Sequence, residues 1–179
     1  MNDLGSKLDR LKCWMREHDR VVVAFSGGVD SSLVLKVASD ELGSGALGLL
    51  AVSASLPASE RNEAYAVAEH IGVSVEEVAT NELSDARYQE NAPNRCYFCK
   101  VNVYAGLLEH SSRWADAVLV DGMNADDTMD LRPGRAAARE LGVRSPLNEL
   151  GFTKADVRDA ARVLGLPNWN KPAAACLSS

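Results

Sequence analysis

The sequence has no apolar run long enough to cross a bilayer. Its longest, Ala46 to Val52, falls far short of the roughly 20 residues a spanning helix needs, so no membrane is expected among its partners. Nor does the N-terminus carry an apolar leader: its first ten residues are polar and charged. Basic residues are in deficit, with 19 Lys and Arg against 25 Asp and Glu and a net charge of -6. Broad binding to nucleic acid relies on clustered cations, so that class is disfavoured. A small anionic ligand is not excluded, because a helix N-terminus holds phosphate without any basic side chain. Cysteines number only four (Cys13, Cys96, Cys99, Cys176). The expected compartment is the cytoplasm, where these are not read as disulfides. The three histidines, His18, His70 and His110, are scattered at predicted helix ends and are assigned no chemistry.

The 179 residues, 46% hydrophobic and 25% charged, suit one globular domain with a core that needs no disulfide or metal. Leu4, Leu8, Leu11 and Met15 share the face of a helix over 4–18. Val21-Val-Val-Ala-Phe25 is a continuous apolar run, as in a strand buried on both faces. Further strands are predicted at 47–52, 73–78 and 117–120, with a short one near Val143. Helices are predicted from near Asp30, from Pro57 to Ile71 with a stop at Gly72, over 96–109 and over 136–141. Thr153 and Asp156 read as the capping pair of a last helix running to Leu164. Residues 81–95 are polar and irregular. Strands alternating with helices predict an α/β fold with a parallel sheet. Ligands of such sheets bind beyond the carboxyl ends of the strands, where the loops at Ser26, Ser53, Asp121 and Ser145 should gather.

Ser26-Gly27-Gly28-Val29-Asp30-Ser31-Ser32 lies between the first strand and the next helix. Two glycines let the backbone turn sharply and approach a ligand. The free amides and dipole of the helix then favour an anion, with Ser26, Ser31 and Ser32 as hydroxyl donors. Asp30, itself anionic, suits Mg²⁺ or a helix cap. The string lacks the Gly-Lys-Ser/Thr of a Walker A loop and is not a dinucleotide fingerprint. It resembles the PP-loop of the ATP pyrophosphatases. That resemblance implies a HUP-type, Rossmann-like parallel sheet flanked by helices. It also implies cleavage of ATP between the α and β phosphates.

Other candidates surround this loop. Ser53 and Ser55 follow the second strand, where the adenine pocket of this fold usually lies. Asp126 and Asp127 follow a strand end and suit ribose or Mg²⁺. Arg132 and Arg135 suit a substrate phosphate or carboxylate. Lys100 and Glu149 are weaker candidates. Cys96-Tyr-Phe-Cys99 could be half a zinc site, a redox pair or part of an iron–sulfur site by spacing alone. Cys176, in a loop of small residues, could be a nucleophile. Cys13 reads as structural, and Trp14, Trp114 and Trp169 as packing residues.

Five segments sharpen the picture: Asn94-Arg-Cys-Tyr-Phe-Cys-Lys100, Asp121-Gly-Met-Asn-Ala-Asp-Asp127, Arg132-Pro-Gly-Arg135, Arg144-Ser-Pro-Leu147 and Trp169-Asn-Lys-Pro-Ala-Ala-Ala-Cys-Leu-Ser178. With the PP-loop they resemble the LarE family of pyridinium-biscarboxylate mononucleotide sulfur transferases, from Ser26 to the last residue. The resemblance implies that ATP, assisted by Mg²⁺, adenylylates a carboxylate of a small nucleotide substrate. Sulfur then displaces AMP to give a thiocarboxylate for the nickel-pincer nucleotide cofactor. In one version of the sulfur step the cysteine matching Cys176 gives up its own sulfur and becomes dehydroalanine. In the other, Cys96, Cys99 and Cys176 hold a [4Fe-4S] cluster carrying an extra sulfide, which three matching cysteines favour here. The resemblance also implies a homo-oligomer for the full-length protein. A smaller C-terminal domain is expected to follow a PP-loop domain spanning 1–179. Rival readings are a tRNA thiolase or amidotransferase synthetase on the same loop, and a nonenzymatic adenine-nucleotide sensor.

Overall fold

The computed structural model describes residues 3–53, 56–80, 95–128 and 133–172, with the side chains of 95–98, 128 and 133–135 outside that description. The amphipathic N-terminal stretch forms α1 (Asp3–Arg16) and buries Leu8, Leu11, Trp14 and Met15. The apolar run forms β1 (Arg20–Phe25). There follow α2 (Val29–Leu42), β2 (Ala46–Val52), α3 (Ala58–Ile71) and β3 (Val75–Ala79). Next come α4 (Arg95–Ser111), β4 (Ala117–Val120), α5 (Pro133–Glu140), α6 (Pro146–Glu149) and α7 (Lys154–Val163).

The four strands form one parallel sheet in the order β3-β2-β1-β4. Side chains of a strand alternate between faces, and β1 uses both. Val21, Val23 and Phe25 join the core made with α1, α2, α3 and α7, whereas Val22 joins Leu49, Tyr104, Leu107, Ala137 and Ala138 under α4 and α5. Burial on both faces is the physical reason for the unbroken Val-Val-Val run. The α/β, parallel-sheet expectation is borne out.

Local signals hold well. Pro57 caps α3 and Gly72 ends it in the left-handed conformation, with φ 79°. At α7 the Thr153 hydroxyl accepts from the Asp156 amide while the Asp156 carboxylate accepts from the Thr153 amide, so Asp completes a capping box usually closed by Glu or Gln. Lys7 adds an ion pair to Asp156, 2.7 Å away, tying α1 to α7.

Three expectations change. Near Val143 there is only an isolated bridge, Val120 to Arg144, since two polar residues follow and no apolar run sustains a ladder. Cys13 is exposed rather than packed, on the solvent face of α1. Trp169 is also exposed, with the Arg162 guanidinium 5.8 Å from its ring centre, and is no core residue. The segment 81–94 lies outside the described residues. No helix among the described residues is long and apolar enough to cross a membrane.

Candidate nucleotide-binding site

At the carboxyl end of β1 the chain turns through Ser26, Gly27 and Gly28 into α2. Gly27 has φ 73°, and a Cβ there would stand 2.8 Å from the Cβ of Ala64 on α3. Both facts demand glycine. Gly28 is the N-cap residue of α2 and supplies no side-chain cap. The first amides of a helix have no partner within it, so this end offers donors and a positive dipole to an anion.

The loop hydroxyls divide their work. Ser26 Oγ lies 3.1 Å from Ser31 Oγ and accepts from the Gly28 amide. Ser31 Oγ also lies 3.2 Å from the Gly28 carbonyl and from the Ser26 amide. Ser32 is fully buried and donates to the Gly28 carbonyl at 2.8 Å. Its hydroxyl sits beneath the loop as a fastening, whereas Ser26, Gly28 and Ser31 line a cavity.

That cavity holds about 430 Å³. It lies over the ends of β1, β2 and β4, at the crevice beside β1 where the strand order reverses, β2 and β3 lying to one side and β4 to the other. Leu49, Leu50 and Ala51 of β2 and Val103, Tyr104 and Leu107 of α4 form an apolar wall, and Lys100 adds a cation. Such a wall suits a planar base, and the loop at the other side suits phosphate. Ser53 lies just beyond Ala51, past the end of β2; Ser55 lies outside the described residues.

Acidic groups enter from two elements. Asp30, in the first turn of α2, accepts from Asn124 Nδ2 at 2.8 Å. Burial raises its pKa, and the neighbouring Asp127 carboxylate adds to the rise. Asn124, 1% exposed, organises the turn after β4: its Oδ1 accepts from the Asp126 and Asp127 amides, and its own amide donates to Asp127. Asp127 lines the cavity, with Lys154 3.6 Å away. Asp126 instead turns to the Lys154 amide at 2.8 Å, at the start of α7, and is not among the cavity-lining residues.

Deep in the cavity wall, Tyr104 donates to Asp121 Oδ2 at 2.7 Å, and the Met123 amide donates to Oδ1. Burial, reinforced by the Asp121 charge, raises the Tyr104 pKa well above its ordinary value, so the phenol stays a donor. Sequence reading noted Asp121 at the strand end but missed Tyr104, whose only signal was an aromatic with a polar tip on the core face of α4. Tyr104→Phe is expected to cost about 1–3 kcal/mol, because it strips one buried carboxylate oxygen of its donor. Chemical denaturation checks this, and an unchanged midpoint would count against the pair.

Glu149 is far from this chemistry: it accepts from Arg144 and from Trp14 Nε1, and the Arg144 hydrogen bonds hold its carboxyl below the usual range. Cys99 is partly buried on α4. Cys96 lies in the first turn of the same helix, where a three-residue spacing sets two positions on one face. Its side chain, that of Arg135, and all of Arg132 and Cys176 lie outside the described residues. Among the described residues no group of three or more His, Cys, Asp or Glu is placed to hold a metal ion.

Fold and loop together define a phosphate-loop domain of the NAD synthetase-type, Rossmann-like class. The chain belongs to the NAD synthase family, whose model matches residues 10–109. It is 39% identical over its full length to pyridinium-3,5-bisthiocarboxylic acid mononucleotide synthase of Lactiplantibacillus plantarum, so the likeness to the LarE family is borne out. It is 48% identical over 98% of its length to an uncharacterised protein of Synechocystis sp.. The chain spans 65% and 66% of the lengths of these two relatives. Among solved structures, the NH3-dependent NAD synthetase of Campylobacter jejuni superposes with a TM-score of 0.74 at 15% identity, over 93% of this chain and 75% of that one. The NMN synthetase of Francisella tularensis gives 0.70 at 16%, over 96% and 75%. At such identities the structures establish the fold alone.

Proposed function

We propose that this chain is the ATP-binding part of a cytoplasmic sulfur transferase that acts on pyridinium-3,5-biscarboxylic acid mononucleotide. The observation that carries the reading is the glycine loop at the start of α2, opening on a cavity with an apolar wall and the carboxylates of Asp30 and Asp127. The likeness of the whole of this chain to 65% of the Lactiplantibacillus enzyme suggests the substrate class.

In this reading the loop amides and Ser26 and Ser31 bind the triphosphate, and the base lies against β2 and α4 near Ser53. A substrate carboxylate attacks the α-phosphorus, the α–β bridge bond breaks, and pyrophosphate leaves. A sulfur nucleophile then attacks the acyl adenylate and expels AMP. Arg132 and Arg135 are proposed to hold the substrate's anionic groups. Asp126 serves this site indirectly, by fixing the turn that carries Asp127.

Two inorganic groups fit the donor sets. Asp30 and Asp127 present hard oxygen ligands to the cavity, and burial leaves Asp30 short of compensating charge. Mg²⁺ typically takes one or two carboxylates and completes its shell with substrate phosphate and water. When bound, it would neutralise charge developing on the departing pyrophosphate. Cys96, Cys99 and Cys176 offer the thiolates of a three-cysteine [4Fe-4S] site, which, carrying an extra sulfide on its open iron, would supply that sulfide without consuming the protein. Without it, Cys176 would donate its own sulfur. A smaller C-terminal domain and a homo-oligomer complete the proposed full-length enzyme.

The test is pyrophosphate release from ATP by the full-length protein, with and without the biscarboxylate mononucleotide. Release that depends on that substrate, with thiocarboxylate formed, is expected. ATP turnover indifferent to it would overturn the reading. Anaerobic preparations should also carry about four irons per chain, lost in Cys96→Ala. No iron after reconstitution would leave Cys176 as the sacrificial source.

A further inference from the structure

The turn after α7 is fastened beneath the phosphate loop by a single side chain. Asn168 is 8% exposed, and its Nδ2 donates both to the Gly27 carbonyl, at 3.0 Å, and to Ser32 Oγ, at 2.9 Å. These acceptors belong to the two ends of the loop. The orientation of the amide is dictated by chemistry: a carbonyl only accepts, so the NH₂ group must face Gly27. Its other end, Oδ1, is buried and has no hydrogen-bond partner among the described residues. An unsatisfied buried acceptor is costly, and it persists here because the donors are committed to the loop.

The same turn is held elsewhere. His70 Nε2 lies 2.9 Å from the Gly165 carbonyl, Lys171 pairs with Glu63 at 2.8 Å, and the Lys171 amide donates to the Asn168 carbonyl. His70 and Glu63 both stand on α3, whose Ala64 is the surface that Gly27 presses against. Helix α3 is therefore a common bed for the phosphate loop and for the turn 165–171. A cavity of about 320 Å³ lies between α3 and the turn and reaches the loop at Gly27; Val67, His70, Asn168 and Lys171 are among its lining. Beside that cavity, the Asn168 side chain bridges the turn to both ends of the loop.

We propose that Asn168 is a positioning residue for the triphosphate and couples occupancy of the loop to the turn 165–171. It touches no reacting atom. By holding the Gly27 carbonyl and Ser32 Oγ it fixes the peptide planes whose amides face the ligand. A phosphate drawn onto those amides tightens the loop, and the Asn168 bonds carry the constraint to the turn that precedes Lys171. The proposal rests on the phosphate-binding reading of the loop.

Affinities of the full chain for ATP and for adenosine separate positioning from general stability. In Asn168→Ala, ATP affinity is expected to fall about tenfold, as for loss of hydrogen bonds at a loop that must bear the ligand, while adenosine affinity stays within about twofold. An equal fall for both ligands, or no change in either, overturns the proposal. Unmodified protein that binds adenosine and ATP equally well sinks the phosphate-loop reading and this inference with it. Hydrogen exchange in the unsubstituted protein gives a second test that survives a poorly folding variant. ATP, and not adenosine, should slow amides of both 26–32 and 165–171. Protection of the loop alone would refute the coupling.

Discussion

Gly122→Ala is expected to abolish ATP-dependent pyrophosphate release and to lower stability by about 1–3 kcal/mol, the usual range for overpacking. Gly122 is the second residue past the end of β4, where the chain leaving that strand meets the start of α2. A Cβ at this position would stand 2.5 Å from the Ser31 nitrogen and 2.9 Å from both the Asp30 carbonyl carbon and the Ser31 Cα. All three are backbone atoms, so no rotamer change relieves the clash. Either β4 withdraws from β1 or α2 shifts away from the cavity, and the second displaces the amides that face the phosphates. Gly5→Ala is the control. At Gly5, on the solvent face of α1, an added Cβ would meet nothing within 4 Å, and alanine should stabilise that helix by about 0.5–1 kcal/mol. Thermal melts and pyrophosphate assays of the two variants decide the matter. A Gly122→Ala protein with native melting and turnover would show that the contact does not position the site.

Asp30→Asn should pull stability and activity in opposite directions. The replacement keeps the shape and can still accept the Asn124 hydrogen bond through its amide oxygen. What it removes is a charge that burial and Asp127 both disfavour. A carboxyl whose pKa is raised by folding contributes stability below its unfolded value, 3.8 here, and loses that contribution as pH climbs through the folded value. At neutral pH the charged Asp30 is therefore a liability in the ligand-free protein. Asp30→Asn should melt higher than the parent at pH 7, with the advantage shrinking as pH falls through the raised folded value and gone below about 4. If Asp30 helps hold Mg²⁺ against the triphosphate, pyrophosphate release should drop by about 100-fold or more, in line with losing one electrostatic group aimed at developing charge. A variant that melts lower at pH 7, or keeps full turnover, contradicts the assignment.

Much of the fold was legible because its signals are local. An unbroken Val-Val-Val run can only be a strand covered on both sides, and Gly72 and Thr153 mark helix ends by backbone geometry and hydrogen bonding that neighbouring residues determine. The phosphate loop was legible for the same reason: seven contiguous residues carry it. What escaped depends on residues distant in sequence meeting in space. Nothing near Ser32 reveals that Asn168 lies against it, so its hydroxyl read as a ligand donor rather than a fastening. The pairing of Tyr104 with Asp121 is set by how α4 lies on β4, and no spacing rule reports that. Asp126 and Asp127 are chemically alike and adjacent, yet the turn that Asn124 organises sets Asp126 on the Lys154 backbone amide and leaves Asp127 lining the cavity. Helix α6 was missed because four residues between Pro146 and Glu149 are too few to show a period.

The strand order also sets a schedule for the growing chain. A ribosome delivers β1, β2 and β3 in the order in which they lie side by side, so three of the four strands can zip together from neighbouring segments. The other edge of β1 must wait for Arg20 to meet Ala117, after the whole of α4 has emerged. Until then that edge of β1, with its Val-Val-Val run, shows an unpaired row of amides and carbonyls, a template for joining another chain. Parallel pairing across so long a stretch is slow as well as late. Yield in the cell should thus depend on the interval between synthesis of β1 and of β4, and on holdase chaperones during it, more than on the stability of the finished protein.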